Sequence, residues 1–300
     1  MFDLRYHVAS LAAVFVALLL GIVVGLGISD RGFLRGTERS LFEKEISDLR
    51  HQVDGLRRSR GADATSRRAA DAMLRAAYPE LVGDRLQGKR IAVVFVGPVD
   101  DRVNGSVETA LQDAGAPGML RLRAIKVPID PDALDGELSG RPALAAYEGS
   151  GRLLTLGREL GHELVSGGET PLWDRLSGVL VEERSGTSGR AADGVVVARS
   201  AALQRGPTEE LLRGLYAGIA AGGVPAVGVE SSQSPWSAIA PFDRANLSTV
   251  DAVDDPAGRA ALVLLLAGGQ PGNYGFRDTA TAGVLPQVAS VPEVATTARG

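Results

Sequence analysis

The chain has 300 residues, a formal net charge of −4, no cysteine and only 5% aromatic residues. The lack of cysteine excludes disulfides, thiolate metal sites and a cysteine nucleophile. Because the basic residues are not gathered into one block, the chain lacks the electrostatic footprint of a nucleic-acid-binding protein.

The first predicted element is an apolar helix over residues 8–28, preceded by a short N-terminal segment, residues 1–7. Its sequence, VASLAAVFVALLLGIVVGLGI, contains no charge and no proline. A helix of this length is about 31 Å long, close to the hydrocarbon thickness of a bilayer. We therefore predict an uncleaved, single transmembrane helix. A cleaved secretory signal and a buried core helix are the alternatives, but the first has a shorter apolar core and the second has a polar face.

Small residues recur at every fourth position of this helix. Small side chains let two helices approach closely in lipid, so the spacing predicts a helix–helix interface. Alanine and glycine are also common in membrane helices without such a contact. The interface predicted here consists of Ala13, Ala17, Gly21 and Gly25.

Residues 36–82 are predicted to form a helical stalk. Its apolar residues alternate in steps of four and three, the spacing of a coiled coil, and their pattern favours two parallel strands. An amphipathic helix folded back on its own domain would show the same stripe. The predicted stalk seam consists of Phe42, Ile46, Leu49, Val53 and Leu56.

Residues 88–270 show apolar strands that alternate with amphipathic helices. This alternation predicts a mostly parallel, three-layer α/β domain. The remaining residues, 271–300, are rich in Gly, Pro, Thr and Ala and are predicted to be an irregular tail. The predicted strands are 91–96, 120–127, 194–198, 225–230 and 247–253, and the predicted helices are 101–114, 151–165, 172–181, 208–221 and 256–267.

Motifs of common enzyme classes are missing from this domain. The turn after the first predicted strand, Gly97-Pro-Val-Asp-Asp-Arg102, lacks the glycines and free amides of a dinucleotide site. The chain has neither a P-loop nor a G-x-S-x-G elbow. His162, the one histidine in the globular part, is expected to be solvated or locally bonded. We therefore predict no cofactor, no metal ligand and no catalytic residue.

Several polar residues are predicted at the ends of strands, where an open parallel sheet binds its ligands. Acids at these positions also cap the following helices, which requires no ligand. Asp101 is expected to cap the helix over 101–114. The strand-end residues are Asp100, Asp101, Glu230, Ser231, Ser232 and Asp251.

Four blocks of the sequence form a recognisable set. The first is M-x-x-L-R-x-H-x-x-S-L-A-A-V-F-x-A-L-x-x-G-x-x-x-G over residues 1–25, and the others are LQGKRIAVV (86–94), GRELGHELV (157–165) and GNYG (272–275). Together they resemble the actinobacterial MctB-type copper-transport proteins. The resemblance implies a membrane-anchored protein with its C-terminal domain outside the cytoplasmic membrane. It also implies a link to copper homeostasis or, through the relative SteB and its partner SteA, to cell-wall hydrolase control.

Copper chemistry fits these residues poorly. Cu(I) prefers Cys and Met, and Cu(II) prefers clustered His, whereas this chain has only three Met and three His, all isolated in sequence. We therefore predict a homodimeric, non-enzymatic envelope scaffold, anchored in the cell membrane, that interacts with a SteA-like partner. The alternatives are a copper efflux or channel component that acts in an oligomer, and an enzyme that uses the strand-end acids.

Overall fold

A computed structural model describes residues 4–28, 68–70, 72–140, 144, 147, 152–187 and 189–287. The chain divides into two compact units, residues 1–70 and 71–300. The predicted stalk seam, Phe42 to Leu56, lies outside the described residues.

The first unit contains one long helix, α1 (Leu4–Ile28), of 25 residues. Every side chain from residue 10 to residue 24 is exposed, among them Leu11, Phe15 and Leu19 at 58–65%. Among the described residues, no helix meets the length and hydropathy criteria for a membrane span.

The second unit is an α/β domain, as predicted. Its elements, in chain order, are α2 (72–82), β1 (Ile91–Val96), α3 (Asp101–Asp113), β2 (Met119–Ile125), α4 (Pro131–Leu138), α5 (Leu153–Ser166), α6 (Pro171–Arg175), α7 (Ser177–Leu180), β3 (Val181–Gly186), β4 (Gly194–Arg199), α8 (Pro207–Ala220), β5 (Ala226–Val229), α9 (Ile239–Arg244), β6 (Ser248–Val250), α10 (Pro256–Leu266) and β7 (Asn273–Tyr274).

The strands form one seven-stranded sheet in the order β3-β2-β1-β4-β5-β6-β7. Five of the six strand pairs are parallel, and only β3 runs antiparallel, beside β2. The sheet is therefore mixed. All six residues of β1 are buried because helices cover both faces of the sheet. Two hydrophobic cores lie on the two faces, one against α5 and α8 and the other against α3 and α10.

The helix predicted over 172–181 is wrong. The structure breaks this segment into α6 and α7 and starts β3 at Val181. Only Val181 of β3 is buried, so this edge strand carries none of the alternating apolar residues by which a strand is recognised. β7 lies inside the segment that the sequence predicts as a tail, of which residues 288–300 fall outside the described ranges.

Helices α5 and α8 pack backbone against backbone through glycines on both sides. A β-carbon added to Gly157 or Gly161 would collide with the backbone of α8, and one added to Gly214 or Gly218 would collide with the backbone of α5. The block GRELGHELV therefore has a structural explanation, because its two glycines, one helical turn apart, let the backbone of α8 approach α5 closely.

Candidate functional site

The candidate site lies where β1 and β4 end, at the carboxyl edge of the sheet. From β1 the chain continues to β2, on one side of β1. β4 pairs with β1 on the other side, and from β4 the chain continues away from β1 to β5. Connections that leave in opposite directions open a crevice, which is where doubly wound sheets bind ligands. A cleft of about 620 Å³ occupies this position, lined by Asp100, Arg102, Val103, Arg199, Ser200 and residues 231–235.

Asp100 positions the β1 side of the cleft. Its Oδ1 accepts hydrogen bonds of 3.0 Å from the amides of Arg102 and Val103, which makes it the N-cap of α3. The prediction that Asp101 caps this helix is wrong by one residue, since Asp101 is the first helical residue. A bound phosphate would need the same two amides, so Asp100 occupies the anion-binding position of this turn.

The β4 side of the cleft is built by Arg199 and Ser200. Gly97 adopts a φ of +100°, and a β-carbon there would stand 2.7 Å from the Ser200 hydroxyl. The Ser200 Oγ donates a hydrogen bond to the carbonyl of Pro98. This hydrogen bond connects the loop after β1 to the loop after β4.

Glu230 follows β5, and its side chain is only 1% exposed. Its Oε1 accepts a 2.6 Å hydrogen bond from Nη1 of Arg277, and its Oε2 accepts one of 2.8 Å from the Ala238 amide. Burial raises the pKa of Glu230, which the Ala238 amide and the Arg277 charge only partly offset. The carboxylate thus fixes the loop over 230–238 rather than facing a ligand.

Asp251 follows β6 and is also 1% exposed. Its two oxygens accept hydrogen bonds of 2.9 Å from the amides of Phe276 and Arg277. A β-carbon on Gly275 would collide with this carboxylate, so the glycine lets the chain pass over it. Asp251 therefore fixes the segment after β7.

Of the two strand-end serines, Ser232 makes the shorter hydrogen bonds. Its amide and hydroxyl donate to Asp254, at 2.6 and 2.8 Å, while Ser231 is buried and its carbonyl accepts from Arg277 at 3.4 Å. The structure thus brings Asp100, Ser231 and Ser232 to one cleft. Glu230 and Asp251 instead bind backbone amides and Arg277, so these two acids do not line the cleft with Asp100.

Within the described ranges, no cluster of three or more His, Cys, Asp or Glu residues is placed to hold a metal ion. His162 is exposed on α5, and Met73 on α2 is 76% exposed.

The predicted small-residue interface falls on α1. Ala13, Ala17 and Gly21 are exposed along this helix, while the surroundings of Gly25 lie outside the described side chains.

Sequence reasoning missed two arginines and a tyrosine at this edge of the sheet. Arg199 is 7% exposed, Tyr216 is 3% exposed, and Arg277 reaches 47 residues back to Glu230. One sequence signal was available for Arg199, because a charged residue directly follows the buried apolar run of β4.

Comparisons with known proteins give a consistent result. The model of the family described as "Copper transport outer membrane protein, MctB" matches residues 1–285. Proteins named copper transporter MctB from Mycobacterium bovis and from Mycobacterium tuberculosis H37Rv are 34% identical over 115 residues. That stretch is 38% of this chain and 35% of each relative, so the chain matches about a third of the length of these relatives.

Proposed function

We propose that this chain, which belongs to the MctB family, serves the cell envelope as a membrane-anchored, non-enzymatic scaffold of copper transport or homeostasis. In this proposal α1 is the anchor, and the α/β domain is an interaction module outside the cytoplasmic membrane. The observation that carries the proposal is the extent of the family match, which takes in both α1 and the sheet.

The composition of α1 supports its role as an anchor. It is a continuous helix of 25 residues, and the stretch from Val8 to Ile28 contains no charged residue. Its large apolar side chains from Leu11 to Val24 are 50–65% exposed. So much exposed apolar surface is unfavourable in water and favourable in lipid. A single transmembrane helix accounts for this surface.

The strand-end chemistry supports a scaffold rather than an enzyme. A general acid or base needs a carboxyl within hydrogen-bond reach of a substrate. Glu230 and Asp251 instead hold protein amides and an arginine, while Asp100 caps α3. The cleft is otherwise lined by serines, Arg102, Arg199 and the Gln233 amide, which suits the binding of a polar group without its conversion.

Copper is the subject of the second candidate function, which the description of the family favours. With no cysteine in the chain, and with His162 and Met73 exposed on different helices, Cu(I) has few soft ligands in one chain. A copper efflux or channel component would therefore take ligands from an oligomer or a partner.

In the scaffold proposal the chain is a homodimer, joined through α1 and the stalk, that engages a SteA-like membrane partner and the cell-wall hydrolase machinery.

Copper stoichiometry separates the two functions. The full-length protein, purified in detergent, is dialysed against buffered Cu(I) and separately against Cu(II), and bound metal is measured by mass spectrometry. The scaffold predicts far less than one copper ion per chain. One or more ions per chain would contradict it and favour the transport component. A His162→Ala, Met73→Leu variant is the matched control for adventitious surface binding.

A further inference from the structure

A second cavity shares only Arg199 with the cleft described above. It has a volume of about 330 Å³ and lies beside α8 and α9 and the loop after β4. We propose that this cavity binds a small organic anion, an apolar body of roughly a dozen non-hydrogen atoms that carries one carboxylate or phosphate head.

The charge of the lining favours an anion. Three arginines line the cavity, Arg199, Arg213 and Arg244, against one acid, Glu209. Arg213 and Arg244 are exposed at the rim, whereas Arg199 is 7% exposed. A buried guanidinium without a carboxylate partner is costly, and no ion pair of Arg199 is found in the described part of the chain.

The geometry of Arg199 fixes its guanidinium without neutralising it. Its Nε and Nη2 donate to the carbonyls of Ala201 and Ala202, at 2.9 and 2.7 Å. Within the described residues its Nη1 has no hydrogen-bond partner. Burial lowers the pKa of Arg199, as expected for a guanidinium without a counter-charge. The group is therefore held in place with a nitrogen available for an acceptor.

Tyr216 provides the second, independent observation. It lines the same cavity and is 3% exposed, yet its hydroxyl has no hydrogen-bond partner among the described residues. An unsatisfied buried hydroxyl is unfavourable, and native proteins normally pair such groups. Burial raises the pKa of Tyr216 to about 12, so the group remains a donor at neutral pH. An anionic head beside Arg199 and Tyr216 would satisfy both groups.

Apart from Gln204, the remaining lining residues are apolar, among them Leu203, Leu212 and Pro241. A simple inorganic anion would leave this surface without a partner, whereas an apolar body attached to the head would bury it. The combination of one cationic end and apolar walls is what selects an organic anion over a metal ion or a sugar.

The test compares four compounds that share one apolar body and differ in the head. Binding of 4-phenylbutanoate, 4-phenylbutyl phosphate, 4-phenylbutanol and 4-phenylbutylamine to the full-length protein is measured by equilibrium dialysis. At least one of the two anions is expected to bind with a submillimolar Kd, about tenfold or more tightly than the alcohol and the amine. The tighter anion identifies the head. Equal binding of all four compounds, or no binding, would overturn the proposal.

Variants link this binding to the named groups. Tyr216→Phe is expected to weaken anion binding about tenfold and to leave binding of the alcohol unchanged, without lowering the melting temperature of the free protein. Tyr274→Phe is the matched control, because the Tyr274 hydroxyl donates to the Gln270 carbonyl at 2.9 Å and its residue does not line the cavity. Exposed Arg244→Gln is expected to weaken anion binding several-fold. Unchanged anion affinity in Tyr216→Phe would refute the assignment.

Discussion

Arg277 reaches back along the chain to Glu230, donating a 2.6 Å hydrogen bond from Nη1 to Oε1 of a carboxylate that is 1% exposed. Its Nη2 also donates to the carbonyl of Ser232, at 2.9 Å. One side chain thus connects the segment after β7 to the loop that lines the β1/β4 cleft.

Removal of this arginine should destabilise the domain. Arg277→Met leaves the Glu230 carboxylate buried without its counter-charge, and the free energy of unfolding at pH 7 is expected to fall by about 2 kcal/mol. Arg184→Met is the control, since both Arg184 and its partner Asp174 are more than half exposed, and is expected to stay within about 0.5 kcal/mol. Urea denaturation measures both. Equal stabilities of the two variants would contradict the role given to Arg277.

The ion pair between Arg90 and Asp193 should make stability depend on acid pH. Arg90 donates from its amide, Nε and Nη2 to the two Asp193 oxygens over 2.8–3.1 Å, and these bonds hold the pKa of Asp193 below its usual range. Because the folded-state pKa lies below the unfolded one, the contribution is present above about pH 4 and is lost as pH falls through the folded pKa.

Asp193→Asn tests that pH dependence. It is expected to lower the free energy of unfolding by about 1 kcal/mol at pH 7. The difference from the unaltered protein should shrink as denaturation is repeated at lower pH, between pH 5 and pH 2. A difference that stays constant over this range would show that the charge of Asp193 is not what stabilises the fold.

The glycine contact between α5 and α8 predicts an unusual sensitivity to alanine. A β-carbon on Gly157 would stand 2.8 Å from the Leu215 amide nitrogen, besides colliding with the carbonyl of Leu211, so Gly157→Ala has to push the helices apart. We expect a loss of about 2 kcal/mol or more. Gly105→Ala in α3 is the control: nothing lies within 4 Å of its β-carbon position, and better helix propensity should stabilise by about 0.5 kcal/mol. The melting temperatures of the two variants should therefore shift in opposite directions.

The proposed homodimer makes a prediction for α1. Replacing Gly21 and Gly25 with Leu should reduce self-association in a bacterial transmembrane-association assay, because bulky side chains keep two helices from close approach. Insertion into the membrane should be unchanged, and Leu19→Ala serves as a control away from the small-residue ridge. Undiminished association in the glycine variant would refute the contact through α1. For the stalk, the corresponding change is Ile46→Lys with Val53→Lys, which places like charges opposite each other in the predicted seam.

The elements that the sequence predicts well are those with strong local signals. Continuous apolar runs mark β1 and β4, Asp255 and Pro256 mark the start of α10, and Gly115, with a φ of +75°, ends α3 as expected. The exposed edge strand β3 has no such signal. Arg121 and Arg123 of β2 are also buried, which their charge gives no reason to expect from the sequence.

The candidate site was harder to predict because its chemistry depends on long-range pairing. Strand-end acids can be located from a single sequence, but whether they face a ligand or the protein's own amides depends on distant segments. Asp251 is satisfied by amides 25 and 26 residues away, and Glu230 by an arginine 47 residues away. Tyr216 lies on the buried face of α8, and no sequence motif distinguishes it from the other residues of that face.

Topology tests the central claim most directly. An alkaline phosphatase reporter, active only after export, and a fluorescent reporter, active only in the cytoplasm, are each fused after Gly300 of the full-length chain. We expect phosphatase activity and no fluorescence. Arg31, Arg35 and Arg39 after the apolar segment outnumber Arg5 before it and by charge alone favour a cytoplasmic C-terminal part. Fluorescence without phosphatase activity would place the α/β domain in the cytoplasm and contradict the envelope scaffold.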